Sequence, residues 1–117
     1  MKTEQDFRTA VAEAVDPIAL QSALTGLALF LSMSGRYAEA DPIWEQAAEL
    51  LAETASPDSD ELGTFLFNKA EVNSIPGGFL DQALTDLERA RAIWSQHFRA
   101  DSREMEMVNT RLLELTN

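Results

Sequence analysis

The 117-residue chain has room for a single domain with a real core. It holds no cysteine, which excludes a disulfide scaffold, thiolate zinc sites and thiol catalysis. Twenty acidic residues against nine basic ones give a net charge of -11, which argues against nucleic acid and anionic membranes as partners because both would be repelled.

Residues 1–16 mix Glu4, Asp6, Arg8, Glu13 and Asp16 with apolar side chains, unlike a secretory leader, so a cytoplasmic location is the expectation. Phe7, Val11 and Val15 form an apolar stripe that predicts a first helix, which Asp16-Pro17 ends or restarts. The most apolar stretch, Ile18 to Met33, falls short of the roughly 20 residues of a membrane span and predicts a buried helix without membrane insertion. Its stripe is Leu20, Leu24, Leu27 and Leu31. Gly35 breaks the pattern, and Tyr37, Ala40, Ile43, Trp44, Ala47, Leu50 and Leu51 predict a third helix. After a loop at Ser56-Pro57-Asp58, a fourth helix carries Leu62, Phe65, Leu66, Lys69, Ala70 and Val72. Pro76-Gly77-Gly78 is the strongest breaker in the chain. Beyond it a fifth helix carries Ala83, Leu84, Leu87, Ala90, Ile93 and Trp94, and a sixth carries Met105, Val108, Leu112 and Leu115. With no strand candidate, the fold class is all-α, with about six helices.

These helices repeat. At a spacing of 43, Gly35 pairs with Gly78, Ala40 with Ala83, Trp44 with Leu87, Ala47 with Ala90, Leu62 with Met105 and Phe65 with Val108. In the preceding helix the spacing is 42, as Leu24 to Leu66 and Ala28 to Ala70 show. One residue has therefore been added between Asn73 and Gly78, and the Pro-Gly-Gly turn is its expected place.

Within one unit, the first helix reads Leu24-x2-Leu27-Ala28-x2-Leu31, and the second reads Ala40-x3-Trp44-x2-Ala47 followed by Leu50. Small residues let two antiparallel helices approach, and Trp44 fills the wedge toward the next pair. This pattern, with the turn Gly35-Arg36-Tyr37-Ala38-Glu39-Ala40, resembles the tetratricopeptide repeat. The longer period and Ser56-Pro57-Asp58 resemble the variant found in kinesin light chains. Residues 21–58 and 62–100 match two units, although Lys69 and Asn73 stand where apolar residues are usual, and 103–116 look like the first helix of a third. The resemblance implies a right-handed superhelical stack of antiparallel hairpins in one domain: an N-terminal helix at 4–17, hairpins at 18–55 and 59–98, and a capping helix at 102–116.

Catalytic constellations are scarce, and no enzyme activity, metal or cofactor is expected. His97, the only histidine, rules out a histidine cluster and reads as a solvated or capping residue. Asp58-x-Asp60 with Gly63 fails as a calcium loop because Leu62 and Lys69 occupy ligand positions. Asp58 and Ser59 instead offer helix N-caps.

Two surfaces stand out. Asp41, Glu45, Glu49 and Glu53 recur every four residues and so form one acidic ridge along the third helix. It reads either as a solvated convex face or as a docking ridge for a basic partner. The family resemblance also implies a concave groove that holds peptides, lined by the first helix of each hairpin. Mapped onto this chain, the groove takes Thr25, Leu29 and Met33 with Ser22 and Gly26, then Thr64, Phe67, Asn68 and Glu71, then Arg111 with Met107, Thr110 and Glu114. Asn68 matches a groove asparagine that bonds a peptide backbone. Arg111 matches one cation of the carboxylate clamp of chaperone-binding relatives, but Thr25, Leu29 and Met107 occupy the places of its other members, so that function is rejected. The expected partner is a protein or peptide segment, a basic or amphipathic one included. The alternative is a self-assembly module, a homodimer included, that stacks through its end helices.

Overall fold

Four of the six helices start at a side chain that accepts a hydrogen bond from its own first turn. In the computed structural model, which describes residues 2–116, Thr3 and Asp6 form a reciprocal capping box at the head of α1 (Glu4–Glu13). Asp16 caps α2 (Pro17–Met33), with Pro17 in the first turn, where its missing N–H costs nothing. Ser59 caps α4 (Asp60–Lys69) through the Leu62 amide. The Ser102 hydroxyl accepts from the Met105 amide in the first turn of α6 (Arg103–Thr116). The other two helices, α3 (Tyr37–Thr54) and α5 (Leu80–His97), have no such cap. They follow Gly35 and Gly78, whose φ values of 76° and 82° permit the reversal that closes the preceding helix. The closing hydrogen bonds are the same in both turns: Arg36 N to Leu31 O and Phe79 N to Ser74 O, each 2.8 Å.

No strand occurs among the described residues, and no helix there is long and apolar enough to cross a membrane. Consecutive helices pack on one another, α1 on α2, α2 on α3, α4 on α5 and α5 on α6, in a body of 41 × 28 × 23 Å. Paired positions of the 43-residue register share one fate. Ala40 and Ala83, Ala47 and Ala90, Trp44 and Leu87, Leu62 and Met105, and Phe65 and Val108 are all buried. Trp44 bridges the two hairpins, with its ring centroid 5.4 Å from that of Phe65 in edge-on contact. Val15 departs from expectation. α1 ends at Glu13, and Val15 sits in the connection with 91% of its surface exposed. Asp16 needs extended backbone to cap α2, which stops α1 before a third apolar turn can form.

The added residue is not in the Pro-Gly-Gly turn. Gly77 and Gly78 close the helix at the same 43-residue register as Ser34 and Gly35, so the insertion lies upstream, between Ala70 and Ser74. That segment is a π-helical turn in which the Ile75 amide donates to Ala70 O at 2.9 Å, one residue beyond the α-helical partner. Widening one turn keeps α4 and the following glycine turn each in register with the first hairpin.

The two polar residues of the stripe each bond across to another element. Lys69 and Asn73 are both fully buried. Lys69 stands where the first hairpin has Leu27, and Asp86, where it has Ile43, receives its ammonium; Glu45 is the second counter-ion at 2.6 Å. Burial opposes the lysine's charge, but hydrogen bonds to Asp86 and Glu45 outweigh it and raise its pKa. Asn73 Oδ1 accepts from the Ser32 hydroxyl at 2.8 Å, and Ser32 Oγ accepts from Trp44 Nε1 at 2.9 Å. This buried chain joins α2, α3 and the π turn.

Candidate functional site

α4 and α6 flank an open concavity of about 530 Å³. Phe67 and Glu71 line it from α4 and the π turn; Arg103, Glu106, Met107, Thr110, Arg111 and Glu114 line it from α6. The spacing of Met107, Arg111 and Glu114 puts them on one helical face. Phe67 is half-buried: its ring packs 5.4 Å from Trp94, which meets Phe98 edge-on at 6.2 Å. Gly63 permits this aromatic layer, since a Cβ there would lie 2.8 Å from the Trp94 indole.

Beside the aromatic floor stands a two-toothed ion pair. Arg111 Nε and Nη2 donate to Glu71 Oε1 and Oε2 at 2.7 and 2.9 Å, and Nη1 reaches Glu114 at 3.5 Å. The hydrogen bond to Glu71 leads the causes that raise the Arg111 pKa further, so the guanidinium is a fixed charge. The site offers apolar area, fixed charges of both signs and hydroxyl hydrogen bonding, which are the elements of reversible recognition.

Of the expected groove residues, Phe67, Glu71, Met107, Thr110, Arg111 and Glu114 come together here. Thr64 and Asn68 are exposed on the neighbouring face of α4 and do not line the concavity. Among the described residues the Asn68 amide makes no hydrogen bond. The α2 set lies apart from them. The Thr25 hydroxyl is turned back onto its own helix, donating to Gln21 O at 2.8 Å and accepting from Gln21 Nε2 at 3.0 Å. Leu29 and Met33 face solvent, Met33 with 80% of its surface exposed. Phe7 of α1 covers Gly26, whose Cβ would sit 3.1 Å from the ring. These elements therefore form two separate hollows, one between α1 and α2 and one between α4 and α6.

The acidic ridge divides in the same way. Asp41 accepts from Gln82 Nε2 of α5 at 3.2 Å, and Glu45 is a counter-ion of Lys69 at the end of α4, so this half belongs to the contact of α3 with the second hairpin. Glu49 and Glu53 are exposed and make no ion pair among the described residues. A four-residue period drifts around a helix of 3.6 residues per turn, which turns the first half inward and leaves the second half free.

Two lining residues were missed by the sequence reading, Arg103 and Glu106. A signal for Arg103 was present: an arginine at the first position of a helix meets the positive end of the dipole, where acids are favoured. His97 is exposed, with Nε2 2.7 Å from Asp58 O, which ties the end of α5 to the loop before α4. No group of three or more metal-ligating residues is placed to hold an ion among the described residues. No family model matches the chain, and no curated protein matches it.

Proposed function

We propose that the chain is a protein-interaction module of the tetratricopeptide kind, which holds a short segment of a partner protein in the α4–α6 concavity. The observation that carries this reading is the concavity itself: Phe67 and Met107 beside a fixed Glu71–Arg111 pair, with a volume of about 530 Å³ that suits one or two side chains. The free Asn68 amide on the adjacent face supports it, because a side chain that donates and accepts at once matches the backbone of an extended segment. The matched glycine turns and the shared burial at a 43-residue register support the family resemblance. Self-stacking has less behind it, because the exposed faces of α1 and α6 are polar apart from Leu113 and a few alanines.

Selection of binders from a displayed random-peptide library tests this reading, with Thr110→Trp as the discriminating variant. Thr110 is exposed and lines the concavity, so an indole there fills the site and leaves the core alone. The expected result is at least tenfold weaker binding of the selected peptides to the variant, with an unchanged circular dichroism spectrum. Peptides that bind wild type and variant equally would place recognition elsewhere.

A further inference from the structure

Charge is distributed unevenly along the concavity. Arg103 opens α6, is exposed and makes no ion pair among the described residues, although Glu106 lies one turn on. A cation at a helix N-terminus works against the dipole. Glu104 and Glu106 stand in the same turn but neither pairs with it, so no ion pair of the fold accounts for its position. At the other end the balance reverses. Glu71 and Glu114 share the single guanidinium of Arg111, which leaves a carboxylate in excess. Between the two ends lie Phe67 and Met107.

Resting on the groove reading above, we infer that the concavity takes an extended segment with opposite charges at its two ends. An acidic side chain lies against Arg103, a basic one against Glu114 and Glu71, and an aliphatic one between them on Phe67 and Met107. Arg103 and Glu114 are eleven residue steps apart, about 16 Å of helix. An extended chain advances about 3.3 Å per residue, so about five steps cover that span. The motif is thus an acid and a base about five positions apart with an aliphatic residue between them. Complementary placement of this kind sets register and orientation more than raw affinity.

Three nine-residue peptides with acetylated and amidated ends test this, each with a central leucine. They carry Asp and Lys, two Asp, or two Lys at the outer positions of the motif. Titrations at about 0.15 M salt, where long-range attraction is screened, are followed by amide shifts of residues 64–71 and 103–114. The expected result is at least fivefold tighter binding of the mixed peptide than of either uniform one. Arg103→Glu, which suits the dipole and keeps the helix, shifts the preference to the two-Lys peptide, and Glu114→Lys shifts it to the two-Asp peptide. If all three peptides shift these amides with equal affinity, the groove reading stands and the charge order is overturned. If none shifts them while the library binders also ignore Thr110→Trp, both fail together.

Discussion

Trp44 shows how one side chain serves two hairpins. Its ring is buried against Phe65, and its indole N–H is satisfied by Ser32 at 2.9 Å. Trp44→Ala should therefore cost about 3–5 kcal/mol, through lost transfer free energy, a cavity and the lost hydrogen bond to Ser32, whose hydroxyl still donates to Asn73. Urea unfolding followed by circular dichroism measures this; a loss under about 1 kcal/mol would mean that the two hairpins pack without it. Lys69 poses the opposite case, a buried charge where its counterpart is Leu27. Lys69→Leu alone leaves Asp86 facing Glu45 and Asp41 and should cost about 3–5 kcal/mol. The double variant Lys69→Leu with Asp86→Ile copies the Leu27–Ile43 pair of the first hairpin and should recover most of that loss, since a buried ion pair is often replaceable by apolar side chains. A double-mutant cycle reads the recovery directly. Sequence reasoning placed Lys69 in the stripe and marked it as a departure. Its partners were not legible, because Glu45 and Asp86 lie 24 and 17 positions away on other helices.

At the scale of elements, α1 is the helix held most by charge. Glu4 receives hydrogen bonds from Arg36 and then Arg8, which lower its pKa to about 2 from an ordinary 4.5. A depressed carboxylate stabilises the folded state above its unfolded pKa and loses that contribution as pH falls through the folded one. Docking of α1 should therefore weaken between about pH 4.5 and about pH 2. Hydrogen exchange of the α1 amides measures it, and Glu4→Gln should flatten the dependence in that window. The π turn makes a second prediction. Deleting Val72 turns a widened turn into a regular one while both flanking segments keep their register. The same deletion at Thr85, inside α5, shifts every later core residue by about 100°. The Val72 deletion should keep a cooperative melt, and the Thr85 deletion should abolish it; equal damage would show that the π turn is not the point of insertion.

Over the whole molecule, a net charge of -11 sets self-repulsion against the fold. Of nine basic residues, Arg8, Arg36, Lys69, Arg99 and Arg111 are tied in ion pairs among the described residues, where Lys2, Arg89, Arg91 and Arg103 make none, against a large excess of acids. Raising salt from about 0.01 M to 0.15 M shortens the screening length from about 30 Å to about 8 Å. Self-repulsion at a net charge of -11 should then fall and Tm should rise by a few degrees. A falling Tm in a salt series would mean that the surface ion pairs outweigh the repulsion.

Local chemistry by itself determined the helices, their order and their repeat. Period-3.6 apolar stripes, the break at Asp16-Pro17, the cap at Ser59 and the turn glycines at 35 and 78 are properties of neighbouring residues, and they read off the chain directly. Packing decided the rest. Whether Glu45 was a free ridge carboxylate or the counter-ion of Lys69, and whether Arg111 stood open or was held by Glu71, depended on which helices lay side by side. The site of the inserted residue was hidden for the same reason. Turn residues at 76–78 mark a cheap place for an extra residue, but the glycine turn is fixed by hydrogen bonds to Asn73 and Ser74, so the slack had to be taken up inside the helix before it.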